Sequence, residues 1–401
     1  MNFSRALRPA LLLLVLLLKA SSVRGGAAPF SWPPDDGKAV LWREARAEVG
    51  LTASVRNVIL FVGDGMGPEH IRAASLYLGR PLVFETFPHR SSMATNSVNG
   101  VTDSAAAASA MATGQRVYNG VISMALPGDG SELETVLEMW QALGKRNGLV
   151  TTSIVNDATP AAFAAHEPSR SNLSAIAGDY FEDARPEVLL GGAGSGVTPQ
   201  AALSAGYVVV TDTAGLQALD TQMVTHVSGQ FGPGKLPPID DGRAPLPTLT
   251  QMTETALTIL QNGGYGFFLL VEQEHTDSYS HRNELAPVID AVIELEGAVH
   301  AALDWAAGRD DTLIVVTADH ETGGLRIDGD NGPGALPDIT WEAGRNHTST
   351  PVPVFGRGPQ AALVALVEAN VDLYYLLGPA GFENTVYFPL AAVVSPNAVA
   401  R

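Results

Sequence analysis

The sequence predicts an α/β fold, doubly wound, with a mostly parallel central sheet, helices on both faces and short surface insertions. Two observations carry this expectation. Apolar runs of strand length recur along the chain, and segments of helical pattern alternate with them. The runs are apolar on both faces, as strands are when helices cover a parallel sheet from either side.

Strands are expected at Asn57 to Gly63, Gly148 to Val155, Glu187 to Gly191, Gly266 to Glu272 and Asp311 to Ala318. Helices are expected at Pro68 to Leu78, Ser104 to Thr113, Leu133 to Lys145, Thr248 to Gln261 and Glu284 to Ala307. Two stretches interrupt the rhythm, Gly229 to Pro247 and Asp328 to Gly344, both rich in Gly with Pro or Asp. They read as surface excursions rather than linkers, so residues 29–401 are expected to form one catalytic domain. Past about Gln360 no pattern is legible.

With 401 residues and 46% hydrophobic content, the chain can bury a large core. It contains no cysteine, so it has neither disulfides nor thiolate metal sites, and any metal must sit on His, Asp, Glu and hydroxyls. At the N-terminus, Arg5 and Arg8 precede the apolar run Ala10 to Leu18, and Ala20, Ser21 and Ser22 follow. Residues 1–28 therefore read as a signal peptide, because a membrane-spanning helix needs roughly 20 apolar residues. The expected location is secreted, periplasmic or extracellular, without a membrane span. The formal charge is −18, and loss of the four cations in that segment takes it to −22. Nucleic acid is excluded as a partner by that excess of acid.

In an open parallel sheet, ligands bind outside the carboxyl ends of the strands, and here those ends are acidic. Asn57 to Gly63 runs into Asp64, Gly266 to Val271 runs into Glu272, and Asp311 to Ala318 runs into Asp319 and His320. Carboxylates gathered at one sheet edge repel one another unless cations lie between them. Asp277, His281 and His347 extend the set, and imidazole with carboxylate is the donor mix zinc takes when thiolates are missing. These seven side chains exceed what one catalytic zinc uses, so more than one ion is implied. His166, His226 and His300 read as ordinary core or surface histidines.

A nucleophile candidate stands in Thr102-Asp103-Ser104-Ala105-Ala106, where Ser104 opens a run of strong helix formers. The local sequence allows a plain helix cap equally well. Free amides and the positive dipole end at such a terminus also suit a phosphoryl group. Arg170 is the guanidinium candidate for two phosphate oxygens. It follows Asp157-Ala158-Thr159-Pro160-Ala161-Ala162, in which Asp157 and Thr159 are oxygen donors suited to magnesium or its water shell.

Together Asp64-Gly65-Met66-Gly67, Thr102 to Ala106, Asp157 to Ala162, Glu272 to His281, Thr317-Ala318-Asp319-His320 and His347-Thr348 resemble the alkaline phosphatase family, in that family's order over roughly residues 57–358. The resemblance implies one zinc ion on Asp277, His281 and His347, and a second on Asp64, Asp319, His320 and the nucleophile Ser104. It implies one magnesium ion on Asp64, Thr159 and Glu272, with Asp157 reaching its water shell. Arg170, oriented by Asp103, would bind phosphate. The implied reaction is hydrolysis of phosphate monoesters through a phosphoserine, with an alkaline optimum.

Two departures from the family pattern bear on these expectations. Ser278 follows Asp277 where better-known members carry a basic or aromatic side chain, so this position is expected to give phosphate no cation. The segment between His320 and His347, where the family's dimer contact is often built, is short, which leaves a homodimer open. A sulfatase would need Pro and Arg after the nucleophile, where this chain has alanines. A phosphodiesterase on the same scaffold is the harder alternative to separate.

Overall fold

The computed structural model describes residues 37–48, 55–239 and 242–379. The segment 1–28, read as a signal peptide, lies outside the described residues. Nine strands make the main sheet: β1 (Asn57–Gly63), β2 (His89–Met93), β3 (Arg146–Ile154), β4 (Val188–Gly192), β5 (Val208–Val210), β6 (Val227–Gln230), β7 (Phe267–Gln273), β8 (Thr312–Thr317) and β13 (Val352–Arg357). Their order is β2-β13-β8-β1-β7-β3-β4-β6-β5. Only β13 runs against its neighbours, pairing antiparallel with both β8 and β2.

The central strands are buried along their whole length because every side chain, on either face, meets a helix. Phe267 and Phe268 are successive in β7 and so point to opposite faces. Phe267 packs edge-on against Trp305 of the Leu285–Trp305 helix, and Phe268 stacks on Phe163 of the Ala158–Ala164 helix. The first face also carries the Leu249–Leu260 and Pro68–Leu78 helices. The second carries the Ser104–Thr113 and Val136–Ala142 helices.

Four short strands complete the fold among the described residues. Leu325–Gly329 (β10) and Asp338–Trp341 (β11) form a hairpin, while Glu321–Thr322 (β9) pairs with His347–Thr348 (β12). The stretch Asp328 to Gly344, expected as an irregular excursion, is thus largely that hairpin, and its Trp341 packs near the buried His70 ring. Gly229 to Pro247 also differs from the expected surface insertion. Its first residues finish β6, Phe231 and Leu236 are buried, and the buried Arg243 guanidinium makes a two-fold ion pair with Glu294. Burial of that cation is tolerated because the geometry supplies a paired, hydrogen-bonded anion.

Helix boundaries moved where caps decide them. The helix expected from Leu133 begins at Val136, since Thr135 and Glu138 form a reciprocal capping box. Beyond Gln360, where no pattern was legible, the chain makes a 3₁₀ turn at Ala361–Leu366 and a short helix at Asp372–Leu377.

Candidate active site

The register of the sheet brings the chemistry-bearing residues to one edge. In β1, Val62 stands level with Glu272 of β7 and Thr317 of β8, and Glu272 is level with Thr151 of β3. The chain therefore leaves β1, β7 and β8 at the same height, delivering Asp64, the Glu272 to His281 segment, and Asp319 with His320 side by side. Gly65 makes the turn possible at φ +71, where a Cβ would strike the Asp277 backbone at 2.8 Å. Its N–H donates to Asp319 Oδ1 at 3.0 Å, fixing one carboxylate oxygen and leaving the other for the site.

Two donor groups assemble there. Asp277, His281 and His347 form one, and Asp64, Asp277 and His320 form another, each with its ligand atoms within 4.8 Å of one another. Asp277 belongs to both, so the groups adjoin. Asp319 joins the second, its Oδ2 lying 3.2 Å from His320 Nε2, with Asp64 Oδ1 at 3.6 Å.

The imidazoles are oriented from behind. His281 Nδ1 donates to the Arg345 carbonyl at 2.6 Å, and His347 Nδ1 donates to the Thr102 carbonyl at 2.9 Å. Thr322 Oγ1 donates to Asp277 and lies 3.3 Å from His320 Nδ1, from which it accepts. Each ring thus spends its Nδ1 proton on a fixed acceptor and turns the Nε2 lone pair into the site, as metal-bound histidines do. The consequence is a cluster of acceptors facing acceptors. His281 Nε2 and His347 Nε2 are 3.0 Å apart, and Asp64 Oδ1 and Asp319 Oδ2 are buried without a hydrogen-bond donor. Positive charge between these atoms relieves their repulsion, whether an imidazole proton on Asp277 or a bound cation in its place.

The ionisation equilibria carry the same signature. Burial and the charges of Asp319 and Asp277 push the Asp64 carboxyl well above its usual range. Burial and the charge of Asp157 push Glu272 up to about 8, against the opposing hydrogen bond that Thr151 donates. Burial resists charging of His347, yet the hydrogen bond and charge of Asp277 raise it to about 9. Those same imidazoles hold Asp277 well below the carboxylate range in spite of its burial.

Ser104 is the first residue of its helix, and the cap is Asp103, whose carboxylate accepts from the Ala106 N–H at 3.0 Å. The Ser104 hydroxyl is thereby free of capping duty. It lies 3.3 Å from His320 Nε2, at the wall of the second donor group. Arg170 is anchored at 2.9 Å to Asp157 and at 3.4 Å to Asp103. Burial opposes its charge, but these two carboxylates raise its pKa further. Thr159 is buried in the first turn of the helix that Asp157 caps.

The twelve residues singled out in the sequence lie around this edge, whereas His166, His226 and His300 lie elsewhere. Sequence reasoning missed Thr322 and Lys235. Thr322 sits two residues past His320 in a strand too short to show a period. Lys235 comes from the Gly229 to Pro247 stretch and stands 3.3 Å from Ser278 Oγ, in an ion pair with Glu274. Position 278 itself offers only a hydroxyl, as expected, but an ammonium that the sequence did not announce arrives beside it from a distant segment.

A sequence profile described as alkaline phosphatase matches residues 55–201 and 191–340. Alkaline phosphatase 3 of Bacillus subtilis is 37% identical over 69% of this chain, which spans 63% of that relative's length. The streptomycin-6-phosphate phosphatase of Streptomyces griseus is 34% identical over 80% of this chain and 89% of its own. Among solved structures, the alkaline phosphatase of Thermus thermophilus superposes with a TM-score of 0.75 at 24% identity, over 88% of this chain and 95% of its own.

Proposed function

The chain belongs to the alkaline phosphatase family, and from that premise we propose that it hydrolyses phosphate monoesters to an alcohol and inorganic phosphate through a phosphoserine at Ser104. The observation that carries the proposal is the placement of the Ser104 hydroxyl. It is released from capping by Asp103, set at a helix N-terminus, and held 3.3 Å from His320 Nε2 beside the convergent acceptors.

Cations on Asp277, His281 and His347, on Asp64, Asp319, His320 and Ser104, and on Asp64, Thr159 and Glu272, which this reading takes as two zinc ions and one magnesium ion, would stabilise the attacking and leaving oxygens of an in-line displacement. Ser104 Oγ loses its proton to solvent and attacks phosphorus, the ester P–O bond breaks, and the leaving oxygen takes a proton from solvent to give the alcohol. The helix amides at Ser104 and the Arg170 guanidinium hold the non-bridging oxygens through the transfer. Asp157 and Asp103 fix the plane of that guanidinium, so its two donors meet the phosphoryl group without losing side-chain freedom at the moment of binding. Water then cleaves the Ser104–phosphorus bond and releases phosphate. An alkaline optimum belongs to the same reading, since a zinc ion there would lower the pKa of its water toward about 7. Export directed by residues 1–28 is also part of it. No helix among the described residues is long and apolar enough to cross a membrane.

The test is an acid-quenched reaction with an aryl phosphate monoester, followed by mass spectrometry of the peptides. Phosphate is expected on the peptide containing Ser104, and Ser104→Ala is expected to lower kcat by roughly a thousandfold or more while leaving the fold intact. Phosphate on another residue, or full turnover by the alanine variant, would overturn the assignment.

A further inference from the structure

Lys235 sits on a strap of chain pinned at both sides. Before it, the Gly232 carbonyl accepts from the Ala193 N–H at 2.9 Å. After it, the Leu236 N–H donates to the Thr152 carbonyl at 2.8 Å, and the Leu236 carbonyl accepts from His275 Nε2 at 2.8 Å. The strap lies so close to the end of β4 that a Cβ on Gly192 would come within 1.7 Å of the Gly234 carbonyl oxygen. The backbone of Lys235 is thus fixed over the carboxyl ends of β3 and β4, beside the short helix that carries Asp277.

From that base the side chain reaches inward. Its ammonium pairs with the buried Glu274 carboxylate and lies 3.3 Å from Ser278 Oγ. Those two contacts use two of three N–H donors, and the third has no protein partner among the described residues. The side chain is 45% exposed while Glu274 is 3% exposed, so the ammonium stands at the boundary between the buried carboxylates and the open site. Burial disfavours its charge, but Glu274, Asp157 and Asp64 together hold its pKa above the usual range, and Lys235 helps Arg170 keep Asp157 ionised. Lys235 and Arg170 therefore act on the same carboxylate.

We propose that Lys235 is a second cationic contact for the phosphoryl group, and that it selects dianionic phosphate monoesters over monoanionic diesters. A lysine that served only to neutralise Glu274 would need neither the pinned strap nor a donor left over after Glu274 and Ser278. A monoester carries one more ionised oxygen than a diester, and a compact ammonium beside it favours that extra charge. Ser278 passes the role on: its hydroxyl donates to Glu274 and accepts from Lys235, which sets the distance between them.

This inference rests on the phosphatase reading, and its test separates the two. Lys235→Ala and Lys235→Arg are compared with the parent protein, all loaded with zinc and magnesium and checked by elemental analysis. The readouts are the competitive inhibition constant of inorganic phosphate and the ratio of kcat/KM for an aryl phosphate monoester to that for an aryl phosphate diester. Lys235→Ala is expected to weaken phosphate inhibition about tenfold to a hundredfold and to lower the monoester-to-diester ratio by a similar factor, at unchanged metal content. Lys235→Arg is expected to recover most of both. Unchanged inhibition and ratio in folded, metal-replete Lys235→Ala would overturn the inference, as would equal loss of metal in both variants. If the parent protein shows no monoester hydrolysis, the phosphatase reading fails, and calorimetric titration of inorganic phosphate into the metal-loaded proteins still decides whether Lys235 binds it.

Discussion

His166 shows how one side chain outside the site couples stability to pH. Its Nδ1 donates to the Ser123 carbonyl at 2.9 Å, and its Nε2 faces Glu138 at 3.0 Å. Burial resists its charge, but the hydrogen bonds of Glu138 and Ser123 and the charges of Glu138 and Glu132 raise its pKa to about 9. A folded-state pKa above the unfolded value near 6.5 contributes stability that is complete below about 6.5 and lost as pH rises through about 9. Glu138 is about a third exposed, so solvent screening keeps the contribution near 1 kcal/mol. His166→Gln is expected to lower the urea midpoint at pH 6 and to leave it nearly unchanged at pH 10. An equal cost at both values would remove the ion pair from the account. At this scale the sequence was informative about candidate ligands and uninformative about their supports. Asp64, Asp319 and His320 announce themselves as acids and imidazoles at strand ends, whereas Thr322 and Lys235 acquire their roles only from contacts across the fold.

Strands, helices and straps differed in how much their sequences revealed. β1, β7 and β8 are buried on both faces, and an unbroken apolar run has few other ways to fold within six or seven residues. β2 alternates between partly exposed and exposed side chains before its last residue, so His89 to Ser92 carry no apolar run. β13 hides behind Pro353, which argues against a central strand, and the structure resolves the conflict. Its pairing with β8 covers only Phe355 to Arg357, so Pro353 lies where the strand pairs with β2 alone. The Gly229 to Pro247 strap was the largest misreading, because Gly and Pro signal irregular chain whether it floats or is bolted down. Its bolt is Arg243, whose two-fold pair with Glu294 connects onward to Gln273 at the end of β7. Arg243→Ala leaves the Glu294 charge buried, and the expected cost is about 3–5 kcal/mol of stability. Chemical denaturation measures that directly, and a loss under 1 kcal/mol would mean the strap holds itself in place by other contacts.

For the molecule as a whole, acid is both the resource and the hazard. The formal balance is −18, and part of that charge is concentrated where Asp64, Glu272, Glu274 and Asp319 are buried within reach of one another. A ligand that binds only the folded chain stabilises it by about 4 kcal/mol at a thousand times its Kd, so a cation among these carboxylates raises the unfolding temperature. Dialysis against a chelator is expected to lower the calorimetric Tm by several degrees, and addition of zinc with magnesium is expected to restore it. An identical Tm with and without bound metal, verified by elemental analysis, would show that the convergent acceptors hold no cation that matters to the fold.

The two-residue pairing of β9 with β12 joins Thr322 to His347, and so closes a donor group whose other members stand at 277 and 281. Together with Asp64, the groups draw on nearly the whole described chain, and no contiguous stretch contains them all. Assembly is therefore late by construction. A chain emerging from the ribosome holds scattered acids and imidazoles until His347 has been made and the small pairing has formed, and non-local contacts of this kind are the slow ones in folding. A metal held on Asp277, His281 and His347, as the proposed function has it, would thus report that synthesis has passed His347 and that the small pairing has formed.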